Sequence, residues 1–214
     1  MKKFMFVIVL CGLLISVSAS AVLAKQGFYL GFGIPYNTIG GDFDGESAFV
    51  GASDIIIVPE IDGAFGFGIL VGFGFSPEAA LELSYLASSH DAKWMGGSGD
   101  VDYSMLNIDF KFSFNSFKPT QPYLLIGLGF HDVVVVDGSV SVSGQIGDAT
   151  YTGTGFNIGG GVDQYVNPNV SIGLGLTYRI VEYDEAEGVV GKGKLDDSLN
   201  GDGFGLVLDA AYHF

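Results

Sequence analysis

The chain has 214 residues, 34 of them glycine, with 14% aromatics, 15% charged residues, a formal net charge of −15 and a mean hydropathy of +0.42. So many aromatics exclude a disordered acidic tail, and 24 acids against 9 bases exclude a nucleic-acid binder. The length suits one domain, and without a long apolar run beyond the first two dozen residues a helical membrane protein is excluded too, which leaves an all-β chain.

Lys2 and Lys3, the apolar run from Phe4 to Ile15 and the small residues ending in Ala21-Val22-Leu23-Ala24 read as a secretory signal peptide over residues 1–24. Cys11 sits in the middle of the apolar run behind Leu10, which does not suit a lipoprotein anchor. Removal of this leader leaves one domain, residues 25–214, with no cysteine and 24 acids against 7 bases, a net charge of −17. No disulfide can then form, so stability must come from elsewhere.

Eight segments of the remaining chain alternate at period two, the period at which a strand sends successive side chains to opposite faces. Phe28, Leu30, Phe32, Ile34 and Tyr36 share one face of the first, with Gly31 and Gly33 between them. Phe65, Phe67, Ile69, Val71, Phe73 and Phe75 form the second, opposite Gly66, Gly68, Leu70, Gly72 and Gly74. The third sets Leu81, Leu83 and Tyr85 against Glu82 and Ser84, and the fourth sets Leu106, Ile108, Phe110, Phe112 and Phe114 against Asn107, Asp109, Lys111 and Ser113. Leu124, Ile126, Leu128 and Phe130 oppose Gly127, Gly129 and His131 in the fifth; Phe156, Ile158 and Val162 oppose Asn157, Gly159, Gly161 and Asp163 in the sixth. The seventh runs from Val170 to Ile180 with Ser171, Gly173, Gly175, Thr177 and Arg179 on its other face, and the last from Phe204 to Phe214 with Gly205, Val207, Asp209 and His213.

Segments of about ten residues match a tilted membrane-spanning strand. Short proline turns are expected at Ser76-Pro77-Glu78, around Pro119 and Pro122, and at Asn167-Pro168-Asn169. Long connectors are expected at 37–61, 89–102, 134–151 and 184–201, the first with extra structure around Ile55 to Val58. This alternation predicts an eight-stranded antiparallel transmembrane up-and-down β-barrel with both termini on the short-turn rim. A soluble barrel with the same strand count would need the large apolar side chains inside, where they would overfill a small lumen, so the apolar face is read as facing lipid.

With its leader, its Gly-x-Gly strands such as Ile126-Gly127-Leu128-Gly129-Phe130, the Asn167-Pro168-Asn169 turn before Val170-Ser171-Ile172-Gly173-Leu174, and the terminal Tyr212-His213-Phe214, the chain resembles the OmpA/OmpX-like eight-stranded outer-membrane barrels of Gram-negative bacteria. The resemblance implies the bacterial outer membrane as the location, with lipid and lipopolysaccharide around the wall. It also implies that Tyr212 and Phe214 form the signal read by the barrel-assembly machinery, and a non-catalytic role in envelope structure or surface interaction such as adhesion or stress resistance. Some barrels of this kind modify lipid A with a His-x-Ser pair, which His90, His131 and His213 all lack.

The inward face carries Glu82, Asp109, Lys111, Asp163, Arg179 and Asp209, with His131 and His213. Charges inside a narrow barrel must pair, so a salt-bridge network centred on Lys111 and Arg179 is expected. Four acids against two bases, beside many inward glycines, leave a narrow pore or a conduit for small or apolar solutes as the alternative, with a slight cation preference if it conducts, and lipid A modification as a second. The connectors with Asp202 hold sixteen acids against Lys93, Lys192 and Lys194, a repulsive surface on which divalent cations could bridge to lipopolysaccharide. No residues are assigned to catalysis, a cofactor or a resident metal, and the Gly-x-Gly repeats inside strands do not read as nucleotide fingerprints.

Overall fold

The computed structural model describes residues 26–214 apart from 44–45, 51–53, 95–96 and 142; the expected signal peptide lies outside the described residues. Twelve strands follow in chain order: β1 (Gly27–Asn37), β2 (Glu46–Val50), β3 (Asp54–Val58), β4 (Glu60–Ile61), β5 (Ala64–Gly74), β6 (Ala79–Trp94), β7 (Gly97–Ser113), β8 (Thr120–Ser141), β9 (Ile146–Asn167), β10 (Val170–Glu187), β11 (Lys192–Asn200) and β12 (Gly203–His213). Every ladder is antiparallel. The pairings run from β1 through β5, β6, β7, β8, β9 and β10 to β12, and β12 pairs back onto β1 with Tyr29 opposite His213. A sheet that returns to its first strand leaves no open edge along that circuit, which is how antiparallel strands satisfy every backbone group without water.

Each of the eight alternating segments lies in one of these circuit strands, and its large apolar side chains point outward: Phe28, Phe65, Leu124 and Leu128 are all more than half exposed. Glycines on the inner face make room for inward aromatics. The Tyr29 ring lies over Gly72, and the Tyr123 hydroxyl lies against Gly161 and Gly175, positions where a Cβ would collide.

The connectors expected to be long loops are instead mostly sheet. β6 and β7 continue as one hairpin to the Trp94–Gly97 pair, and β8 and β9 reach 22 residues each before turning through Gly144 at φ 82°. A strand of that length spans roughly 70 Å, well beyond the nine to eleven residues a bilayer crossing needs. The first connector folds into the β2–β3 hairpin, placing the expected structure at Ile55 to Val58, and β3 docks on β8 through Asp54, Ile55 and Ile56 opposite Ser141, Val140 and Ser139. β4 pairs with β6, and β11 pairs with β10 across a bulge near Tyr183. Among the described residues the strand total is therefore twelve rather than eight, because the connectors add β2, β3, β4 and β11 to the eight circuit strands.

The short turns form as the prolines suggest. Ser76 Oγ accepts from the Glu78 and Ala79 amides at 3.2 and 3.1 Å, and Asn167 Oδ1 accepts from the Asn169 amide at 2.8 Å. Pro122 differs: it lies within β8 opposite Val162, and the turn before it closes at Asn115, which holds φ 56° and whose carbonyl accepts from the Lys118 amide.

Candidate functional site

The inner face of the circuit is built in layers. At the short-turn end Tyr29 stacks on His213 at 4.9 Å, the Tyr165 ring lies 5.0 Å from that of His213, and Ser171 Oγ is 2.9 Å from His213 Nε2. Buried Gln121 donates to the Ser116 and Lys118 carbonyls, tying the turn across the end of the barrel.

Next comes Lys111. Its Nζ bridges Glu82 at 3.1 Å and Asp163 at 2.8 Å and lies 4.1 Å from the centroid of the Tyr123 ring. Tyr29 also donates to Glu82 Oε1 at 2.7 Å. One ammonium shared between two carboxylates and an aromatic face is how a buried cation offsets its lost hydration. Asn157 then links the neighbouring layer, donating from Nδ2 to both Asn107 Oδ1 and Asp109 Oδ1 at 3.1 Å.

Arg179 departs from the expected network. Only 3% exposed, it has no carboxylate within ion-pairing distance among the described residues. Nη1 donates to Asn37 Oδ1 at 2.9 Å, Nη2 donates to the Phe204 and Thr38 carbonyls at 2.9 and 3.3 Å, and the guanidinium lies 5.8 Å from the Tyr103 ring centroid. The network is therefore centred on Lys111 alone. Arg179 instead pins β10 to the ends of β1 and β12, since a planar fork can be satisfied by amide and backbone oxygens.

Above Arg179 the inner face turns apolar. Ile56, Val58, Ile61, Val101, Tyr103, Met105, Val133, Val135, Tyr151, Val181 and Tyr183 pack into one buried cluster, with Phe43 edge-on to Tyr151 and Tyr183. His131 joins its edge, with Nδ1 2.8 Å from the Tyr103 hydroxyl. Below the cluster, among the described residues, lie two small chambers, about 30 Å³ on the short-turn side of Lys111 and about 80 Å³ between Lys111 and Arg179.

His90, expected in a loop, lies on β6 and is 2% exposed. Its Nδ1 faces the Asp62 carbonyl at 2.7 Å and its Nε2 faces Ser88 Oγ at 2.8 Å, while Asn37 Nδ2 donates to Ser88 at 3.3 Å. Burial lowers its pKa below the ordinary 6.5. A serine and a histidine thus meet, but His90 lies outside both chambers, and the pair ties Asn37, and through it Arg179, to the segment before β5.

A family model, the outer membrane protein beta-barrel domain, matches residues 7–214. The chain belongs to this family. No curated protein matches it by sequence. Among solved structures it is similar to Neisserial surface protein A, with TM-score 0.58 and 17% identity over 88% of this chain and 98% of that one. It is also similar to OprG from Pseudomonas aeruginosa, with TM-score 0.55 and 12% identity over 91% and 99%. Ail of Yersinia pestis in complex with the heparin analogue sucrose octasulfate gives TM-score 0.51 and 18% identity over 89% and 100%. At such identities the likeness is one of fold.

Of the residues singled out from sequence, the barrel brings Glu82, Lys111 and Asp163 together; Asp109 sits one layer away with Asn157, and Asp209 lines both chambers. Tyr212 and Phe214 lie outside at the end of β12, 5.2 Å apart edge to face. Sequence reasoning missed Tyr29, Tyr123, Tyr165 and Asn37, and gave the inward Asn107 and Asn157 no part in the network. A tyrosine on the face otherwise reserved for glycine and charge was the available signal. On the outer wall Ser89 donates to Asp102, Thr152 to Asp132 and Ser198 to Glu182, and the expected loop acids Asp100 and Asp102 sit on β7. Among the described residues no three His, Cys, Asp or Glu side chains converge to hold a metal ion.

Proposed function

We propose that the eight circuit strands form an eight-stranded barrel in the bacterial outer membrane, and that its role is non-catalytic: a closed scaffold that presents a stiff extracellular sheet. The observation that carries this reading is the apolar cluster from Ile56 to Tyr183, which fills the interior beyond Arg179 with side chains of little or no exposure. A conduit would need that region open, and the chambers below it are separated by the Lys111 ion pairs. Extended β6 to β11 ladders give the projecting part the rigidity of sheet, which suits contact with another surface better than passage of solute.

The outer wall favours a partner of positive charge, or divalent cations that bridge Asp102, Asp132 and Glu182 to lipopolysaccharide phosphates. The polyanion bound to Ail in its own structure is of the opposite kind. Calcium titration without heat would remove the divalent reading. Tyr212 and Phe214 at the end of β12 would be read by the assembly machinery; deletion of Phe214 should leave unassembled protein. Lipid A should be unchanged by mass spectrometry on overexpression. The decisive test of the closed scaffold is planar-bilayer conductance of refolded protein, with heat-shifted gel migration as the check on folding. Silence is expected; discrete conductance steps would overturn the reading.

A further inference from the structure

The interior charges of the barrel do not balance. Among the described residues that line the two chambers, Glu82, Asp109, Asp163 and Asp209 have Lys111 and Arg179 as the only lysine or arginine side chains. Lys111 is committed to Glu82 and Asp163, and Arg179 to an amide and two backbone carbonyls. Asp109 accepts only from Asn157, and Asp209 has no hydrogen bond or ion pair among the described residues. Both line the chamber of about 80 Å³. A second observation points into the same space. Asn157 is 1% exposed, lines that chamber, and has its nitrogen committed to Asn107 and Asp109, while its Oδ1 has no partner. Buried acceptors without donors are costly, and carboxylates without an ion-paired cation in a low-dielectric wall more so.

We propose that this chamber is a binding site for a monovalent inorganic cation such as sodium or potassium, held by Asp109, Asp209 and Asn157 Oδ1. Hard oxygen donors suit such an ion. A divalent ion is disfavoured because no three acidic or imidazole side chains converge among the described residues. The volume suits an ion with one or two waters, each water occupying about 30 Å³. Ser84 and Thr177 also line the chamber and supply hydroxyls that can accept from those waters. The ion would act as a structural counter-charge between the Lys111 and Arg179 layers. This inference does not rest on the surface role proposed above, and it holds whether or not the barrel conducts.

The test is thermal unfolding of the refolded full chain in zwitterionic micelles, in sodium chloride, potassium chloride and N-methylglucamine chloride at one ionic strength. Sodium or potassium should raise the midpoint by roughly 3–5 °C over N-methylglucamine, the shift given by a ligand at about ten times its Kd. Asp209→Asn should abolish that difference, and Asp102→Asn on the outer wall should keep it. Equal midpoints in the three salts would overturn the proposal, with protons then the compensating charge; so would loss of the effect in Asp102→Asn. Should Asp209→Asn fail to fold, thallous ion soaked into crystals of the unsubstituted protein decides. An anomalous peak beside Asp109, Asp209 and Asn157 supports the site, and peaks confined to the outer wall overturn it.

Discussion

The two ends of β7 obey opposite solvents with one alternation. From Leu106 to Phe112 the outward side chains are Leu, Ile and Phe, and the inward ones are Asn107, Asp109 and Lys111. From Asp100 to Met105 the outward ones are Asp100, Asp102 and Ser104, and the inward ones are Val101, Tyr103 and Met105. No residue is inserted between the halves, since the β6 and β8 ladders keep register across the change. β10 does the same, passing outward from Ile180 to Glu182 and inward from Arg179 to Val181 and Tyr183. One half is stabilised by lipid around it and a polar network inside; the other by a core, as in a water-soluble barrel. Arg179 sits at the boundary, where amide and carbonyl oxygens are still within reach and the apolar cluster begins.

Breaking each half separately should expose the difference. The largest effect is expected for Lys111→Met, which leaves Glu82 and Asp163 facing each other without a cation; equilibrium unfolding in urea should show a loss of roughly 3–5 kcal/mol. Adding Glu82→Gln and Asp163→Asn should recover most of it. Val133→Ala in the upper core should cost roughly 2 kcal/mol through the cavity it leaves, whereas Asp132→Ala beside it should stay within about 0.5 kcal/mol. Urea midpoints of the two variants measure that contrast directly.

His90 sharpens the comparison by pH. Its pKa is lowered in the fold, so the neutral form is the native one. Stability is then fully present above the ordinary histidine value of 6.5 and declines as pH falls below it toward the folded value. The slope from this group is at most about 1.4 kcal/mol per pH unit. Unfolding midpoints at pH 7.5 and 5.5 should differ less in His90→Gln than in the unsubstituted chain. The smallest effect belongs to the exposed Lys93–Asp62 pair at 2.9 Å, where Lys93→Gln should give no measurable change in midpoint.

Much of the spanning half was legible because glycine alternating with Phe, Leu or Ile admits one assignment of faces, and Pro77 and Pro168 marked two of the short turns. The Lys111 cluster followed in part, since Glu82, Lys111 and Asp163 occupy the inward phase; their meeting depends on register across β6, β7, β8 and β9, which no local pattern encodes. Arg179 was misread because charge counting looks for carboxylates, while Asn37 and two carbonyls satisfy its fork. The projecting half was hidden for a different reason. Asp100 and Asp102 resemble loop residues in composition, and only the unbroken phase of Val101, Tyr103 and Met105 marks them as the outer face of a strand. Pairing such as β3 on β8, some eighty residues apart in sequence, lies beyond any window reading.

The inversion of faces on a single strand is the central claim, and a spin-label scan of β7 in a bilayer tests it. Single cysteines from Asp100 to Phe112 would be labelled and their relaxation by oxygen, which partitions into lipid, compared with that by a water-soluble nickel chelate. Positions 106, 108, 110 and 112 should favour oxygen, 100, 102 and 104 should favour the chelate, and 101, 103 and 105 should be shielded from both. Chelate access at 101, 103 and 105, or an oxygen preference that continues through 104 and 102, would contradict the account.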